Sequence, residues 1–125
     1  MTKILIKGGR VLSMVDGAKE TCADILVEDG KIADIQSAIT ADADVIDASG
    51  SIVMPGFIDA HRHVWQTQLR TVATNWSLFD YFVEMRLAYS TFYTADDAYL
   101  GNYVGALEAI DAGITTLVDH CHILN

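Results

Sequence analysis

The chain's single proline, Pro55, stands next to Gly56 and divides 125 residues into two stretches of different periodicity. Proline has no N–H to give to a sheet ladder and glycine tolerates the turn that follows, so the pair marks a boundary between elements. Before it, apolar residues come in short runs at strand spacing. After it, a short apolar run, a long helical region and a β-branched run succeed one another. The division predicts a small β domain over residues 1–54 and a strand-helix-strand unit over residues 55–125.

In the first stretch, Ile4 to Val15 contains two apolar runs separated by Gly8-Gly9, which predicts strand, glycine break, strand, closed by a turn at Asp16-Gly17. Ala23 to Ile35 alternates around Asp29-Gly30, the residue pair of a type I′ hairpin turn. Val45-Ile46-Asp47 and Ser51-Ile52-Val53-Met54 form two more short strands around Ser49-Gly50, and the small, acidic residues 38–44 read as a loop. Cys22 is predicted to be a buried strand residue. Cys22 and Cys121 are too far apart, and too few, to suggest a disulfide framework.

The second stretch opens with a strand from Phe57 that ends in His61-Arg62-His63. Successive strand side chains point to opposite faces, so His61 and His63 project together and Arg62 turns away. Two neutral imidazoles side by side can grip one metal ion, and catalytic sites commonly use about three protein ligands with one position left for water. The pair is then a partial site; the alternative is two surface histidines. Asp59 points the same way and reads as a hydrogen-bonding anchor, with a metal role as the alternative. Arg62 is expected to pair with an acidic neighbour. Ser77 is the expected N-cap of a helix over residues 78–87, and Thr94 that of a second helix whose first turn carries Asp96 and Asp97, which the helix dipole favours. In that helix Tyr99, Leu100, Tyr103, Val104, Leu107 and Ile110 predict a core-facing stripe that ends at Gly113. Ile114 to Val118 reads as a buried parallel strand. His120-Cys121-His122 makes a second His-x-His, read as facing a pocket or packing, and Trp65 and Trp76 read as packing, with a floor for a flat aromatic substrate as the alternative.

Several segments together resemble the amidohydrolase superfamily. They are Ile4 to Leu12, the hairpin Asp24 to Ile35, Val53-Met54-Pro55-Gly56-Phe57-Ile58-Asp59-Ala60-His61, and Ala112 to Asp119. Within that family they are most similar to the aromatic aminohydrolase branch, which includes cytosine, guanine and S-adenosylhomocysteine deaminases and triazine hydrolases. The resemblance implies an α/β fold: a small β-sandwich-like domain, composite in the family, followed by the first two strands or so of a (β/α)8 TIM barrel. A complete barrel needs roughly 250 residues, so it also implies an N-terminal fragment. It implies a hydrolase of carbon-nitrogen, non-peptide bonds, most similar to enzymes that deaminate a heteroaromatic substrate with metal-activated water. His61 and His63 become metal ligands for a divalent ion, zinc first, with iron, manganese or nickel as alternatives. No catalytic residue falls within the chain, because the family's further histidine and aspartate ligands come from later strands. Gln66 and His120 are the expected substrate contacts. The 125-residue chain alone is expected to be inactive. The alternatives are a cyclic-amide hydrolase, as in dihydropyrimidinase or imidazolonepropionase, and a non-catalytic interaction protein that pairs through unclosed β edges.

Charge narrows the partners. With 8 basic against 17 acidic residues the formal net charge is −9, which repels phosphate backbones and anionic membranes. The expected partner is a small nitrogen heterocycle, not a nucleic acid polymer or a membrane, and the resemblance implies a homo-oligomer at full length. The start lacks a signal-peptide core and no run of about 18 apolar residues exists, so the default location is cytoplasmic.

Overall fold

A computed structural model describes residues 2–123. The chain divides into two compact units, Met1–Pro55 and Gly56–Asn125. The first is built around strand β1 (Lys3–Val11), which pairs antiparallel with β2 (Thr21–Glu28); β2 pairs antiparallel with β3 (Lys31–Gln36). On the other side of β1 lie β4 (Asp44–Asp47) and β5 (Ile52–Val53), both parallel to it. The sandwich-like expectation thus takes the form of one five-stranded sheet with the order β3-β2-β1-β4 and β5 beside β1.

Gly8-Gly9 does not break the first strand. β1 runs through it with a register shift between Ile6 and Gly9, and Gly8 has φ +72°, so the extra residue is absorbed in a bulge whose positive φ suits glycine. The β2–β3 turn follows the sequence: Asp29 and Gly30 have φ 49° and 77°, as a type I′ turn requires. Val11, Ala23 and Ile25 form the buried core, and Ile6, Val27 and Val53 pack against it. Cys22 is exposed, contrary to expectation. The two-residue period turns Ala23 and Ile25 to the core and puts Cys22 with Asp24 on the other face.

The second unit opens with β6 (Phe57–Arg62) and a 3₁₀ segment, Val64–Leu69. Ser77 caps the next helix as expected, in a reciprocal box with Asp80. The winding differs: α1 is only Leu78–Asp80 and runs on as a π-wound segment, Tyr81–Ala88, and a 3₁₀ turn, Tyr89–Phe92. Helix α2 (Ala95–Asp111) is capped by the same device, with Thr94 and Asp97. The Thr94 hydroxyl and backbone N–H both bond the Asp97 carboxylate and hold it below the usual carboxylate range. Past its end Gly113 has φ +79°, and β7 (Ile114–Asp119) then pairs parallel with β6.

Two burial expectations fail here. The stripe of α2 faces outward, with Tyr99 and Ile110 each 69% exposed, while the buried residues are Ala98, Gly101, Gly105 and Ala109. These recur at three- and four-residue spacing and form a second face, along which the helix packs on the Val64–Leu69 segment. A side chain there would collide: a Cβ on Gly101 would lie 2.5 Å from the Trp65 carbonyl oxygen. β7 is parallel as expected but not buried, because among the described residues its only sheet neighbour is β6. No helix of the described residues is long and apolar enough to cross a membrane.

Candidate metal and substrate site

β6 and β7 run parallel, so both His-x-His motifs arrive at the same edge of the pair. Their rings meet: His61 stacks on His120 at a centroid separation of 4.1 Å, and His63 lies 4.4 Å from His122 and 5.1 Å edge-on to His61. Four imidazoles therefore share one end of the two-stranded sheet. Among the described residues no group of three or more His, Cys, Asp or Glu side chains is arranged to hold a metal ion.

The chemistry of His63 fits a ligand. Its Nδ1 lies 2.8 Å from the backbone carbonyl of His120. A carbonyl can only accept, so Nδ1 carries the proton and Nε2 keeps its lone pair. Metal-bound histidines are held by this kind of bond from the second ring nitrogen. His61 is more exposed, and its backbone N–H donates to Asp59 Oδ1 at 3.1 Å. Asp59 Oδ2 also pairs with Arg62 Nε at 3.1 Å. Asp59 therefore serves as the anchor and Arg62 finds its acidic neighbour, each as expected.

Gln66 lies on the 3₁₀ segment just beyond the pair and donates from Nε2 to the Tyr81 hydroxyl at 2.7 Å. That bond fixes its amide and leaves Oε1 as an acceptor. His120 is exposed, so its ring is accessible while its backbone bonds hold His63. Trp65 is 0% exposed and meets Tyr93 edge-on with centroids 5.1 Å apart, so it packs beneath the site. Its Nε1 and the Nδ1 of His122 are buried atoms with no hydrogen-bond partner among the described residues. Burial, reinforced by the positive charge of Arg86, pushes the His122 imidazole below its ordinary value and favours the neutral ring.

Two contributors escaped the sequence reading. Tyr81 sits inside a helical run and nothing in its spacing connects it to Gln66. Asp119 accepts from the backbone N–H of Val64 at 3.1 Å; its one signal was an acidic residue at a strand end, directly before the second His-x-His.

Comparison with known proteins follows the same residues. Positions 52–122 match the amidohydrolase family. A 5′-deoxyadenosine deaminase of Methanosarcina mazei is 36% identical over 121 residues, covering 95% of this chain and 28% of that protein. A 5-methylthioadenosine/S-adenosylhomocysteine deaminase of Thermococcus sibiricus is 39% identical over 117 residues, covering 93% of this chain and 27% of that protein. Among solved structures, an atrazine chlorohydrolase of Arthrobacter aurescens TC1 complexed with zinc superposes with a TM-score of 0.82 at 28% identity, over 93% of this chain and 28% of that one. The chain therefore spans little more than a quarter of the length of these relatives.

Proposed function

The chain belongs to the amidohydrolase family, and on that footing we propose that it is the N-terminal part of a cytoplasmic enzyme that hydrolytically deaminates a nitrogen heterocycle. Residues 1–54 are then the small β domain and residues 55–125 the first part of the barrel. The observation that carries the reading is the His61 and His63 pair at the end of β6, with Nδ1–H of His63 donating to a carbonyl and the Nε2 lone pair left free to ligate. His61 and His63 would hold a divalent ion, with zinc the first candidate because a related structure is complexed with zinc. When bound, such an ion supplies a Lewis acid that lowers the pKa of a water into the neutral range.

The chain's own residues orient the reactants. Gln66, fixed by Tyr81, offers Oε1 to an exocyclic amino N–H of the heterocycle, and His120 borders the same space. His61 and His63 supply two of the about three protein ligands common at catalytic metals, so turnover is expected to need further donors. The relatives' names suggest adenine nucleosides and s-triazines as the substrate classes to try first.

The test is expression from the intact gene, with its coding DNA read past Asn125. Ammonia release is then measured from 5′-deoxyadenosine, methylthioadenosine, S-adenosylhomocysteine and amino-triazines, with and without metal removal. Ammonia release that chelation abolishes, zinc restores and His63→Ala eliminates is the expected result. Hydrolysis of cyclic amides in place of deamination would overturn it.

A further inference from the structure

We infer that Asp119 and the backbone of His120 form a positioning element for the ligand His63, an inference that rests on the metal-site reading above. Two consecutive residues at the end of β7 hold three consecutive residues at the end of β6. The His120 N–H donates to the Arg62 carbonyl at 2.7 Å, the His120 carbonyl accepts from Nδ1 of His63 at 2.8 Å, and Asp119 Oδ1 accepts from the Val64 N–H at 3.1 Å. The ligand is thus fixed through its ring and through the backbone on both sides.

The carboxylate is the part that a sheet ladder does not supply. Val64 begins a 3₁₀ segment, and its N-cap, His63, makes no side-chain capping bond. The first N–H groups of a helical segment have no partner within it. Asp119 provides one from 55 residues away, and its negative charge strengthens the bond. Val64 and Trp65 beneath are buried, so once the Val64 N–H is pinned the turn after His63 has little room to move. Without that bond the backbone at 63–64 can rotate, and the ring bond to the His120 carbonyl loses its geometry. Metal ligands depend on such outer bonds, whose removal costs about 10- to 100-fold in affinity.

The test uses protein expressed from the intact gene, with zinc affinity measured by competition against a chromophoric chelator and the ring ¹⁵N shifts of His63 recorded in metal-free protein. Asp119→Ala is expected to lose about 10- to 100-fold in zinc affinity and to convert His63 from a single Nδ1–H tautomer to a mixture. A variant with a lower melting temperature but unchanged affinity and tautomer would show a purely structural role and overturn the inference. If Asp119→Ala does not fold, Asp119→Asn and Asp119→Glu decide the matter. Asn keeps an acceptor in place and should keep most of the affinity; Glu keeps the charge, displaces the acceptor and should lose affinity. Equal affinity in the two would again overturn it. A zinc affinity insensitive to His63→Ala would instead defeat the metal-site reading, and the tautomer measurement would still decide the positioning.

Discussion

Asp24 is 3% exposed, and its two carboxylate oxygens accept the backbone N–H groups of Gly8 at 2.8 Å and Ile39 at 2.9 Å. One bond sits at the β1 bulge and the other in the loop after β3, so a single side chain ties both irregular segments to β2. These bonds, Ile39 first and then Gly8, hold its carboxyl below the usual carboxylate range. A group with a depressed folded pKa stabilises the fold above its unfolded pKa of about 3.9, and that contribution is lost as pH falls through the folded value. Asp24→Asn should therefore lower the melting temperature near neutrality, and the gap from the wild type should close on acidification below about pH 4. Melting curves from pH 2 to 7 check this; a gap that persists at pH 2 would rule it out. Such a role is hard to see in the sequence. That the rings of His61 and His63 lie together, 5.1 Å apart, was legible because their relation is local, two residues along a strand. Asp24 and Asp119 act on residues 15 to 16 and 55 positions away, and residue type alone does not name a partner at that distance.

Helix α2 was legible in its ends and misleading in its faces. The N-cap at Thr94 and the glycine after the last turn are local chemistry, and both are found where expected. Its core face was assigned by apolarity, but close approach to the Val64–Leu69 segment selects small side chains, and Gly101 and Gly105 carry no hydrophobic signal. Gly101→Ala removes a poor helix former, a gain of about 1 kcal/mol in an open helix. Here the added carbon would meet the Trp65 carbonyl oxygen at 2.5 Å and Gln68 Oε1 at 2.4 Å. Gln68 can swing aside; a backbone carbonyl next to the buried Trp65 cannot, so the overpacking cost of about 1–3 kcal/mol is expected to win. Leu100→Ala, one position earlier and half-exposed, should change stability by no more than about 0.5 kcal/mol. Chemical denaturation of the two variants compares them directly, and a larger loss for Leu100→Ala would restore the apolar stripe as the packed face.

For the whole molecule, two separate globular units of these sizes would together expose about 7,900 Å², whereas the chain exposes 8871 Å². Large apolar side chains contribute to that surface. Phe57 and Ile58 of β6, Val118 of β7, and Leu100, Leu107 and Ile110 of α2 are all exposed. In the first unit, Val11, Val27, Ile32, Ile35 and Val53 line an open groove of about 410 Å³ on one face of the sheet. The periods of β2, β3 and α2 were read correctly from hydrophobicity because period depends on local geometry. Which face is covered depends on what packs against it, and a chain that spans 28% of a relative offers few partners for these faces. Patches of this extent are sites of association in soluble proteins. The 125-residue chain on its own should bind the dye ANS strongly and sediment as a polydisperse population, while the product of the intact gene should do neither. Sedimentation velocity with parallel dye fluorescence checks both. A single discrete dimer of the isolated chain, with weak dye binding, would instead mean that the exposed strands and helix face complete each other between copies, and would favour an interaction module over part of a larger barrel.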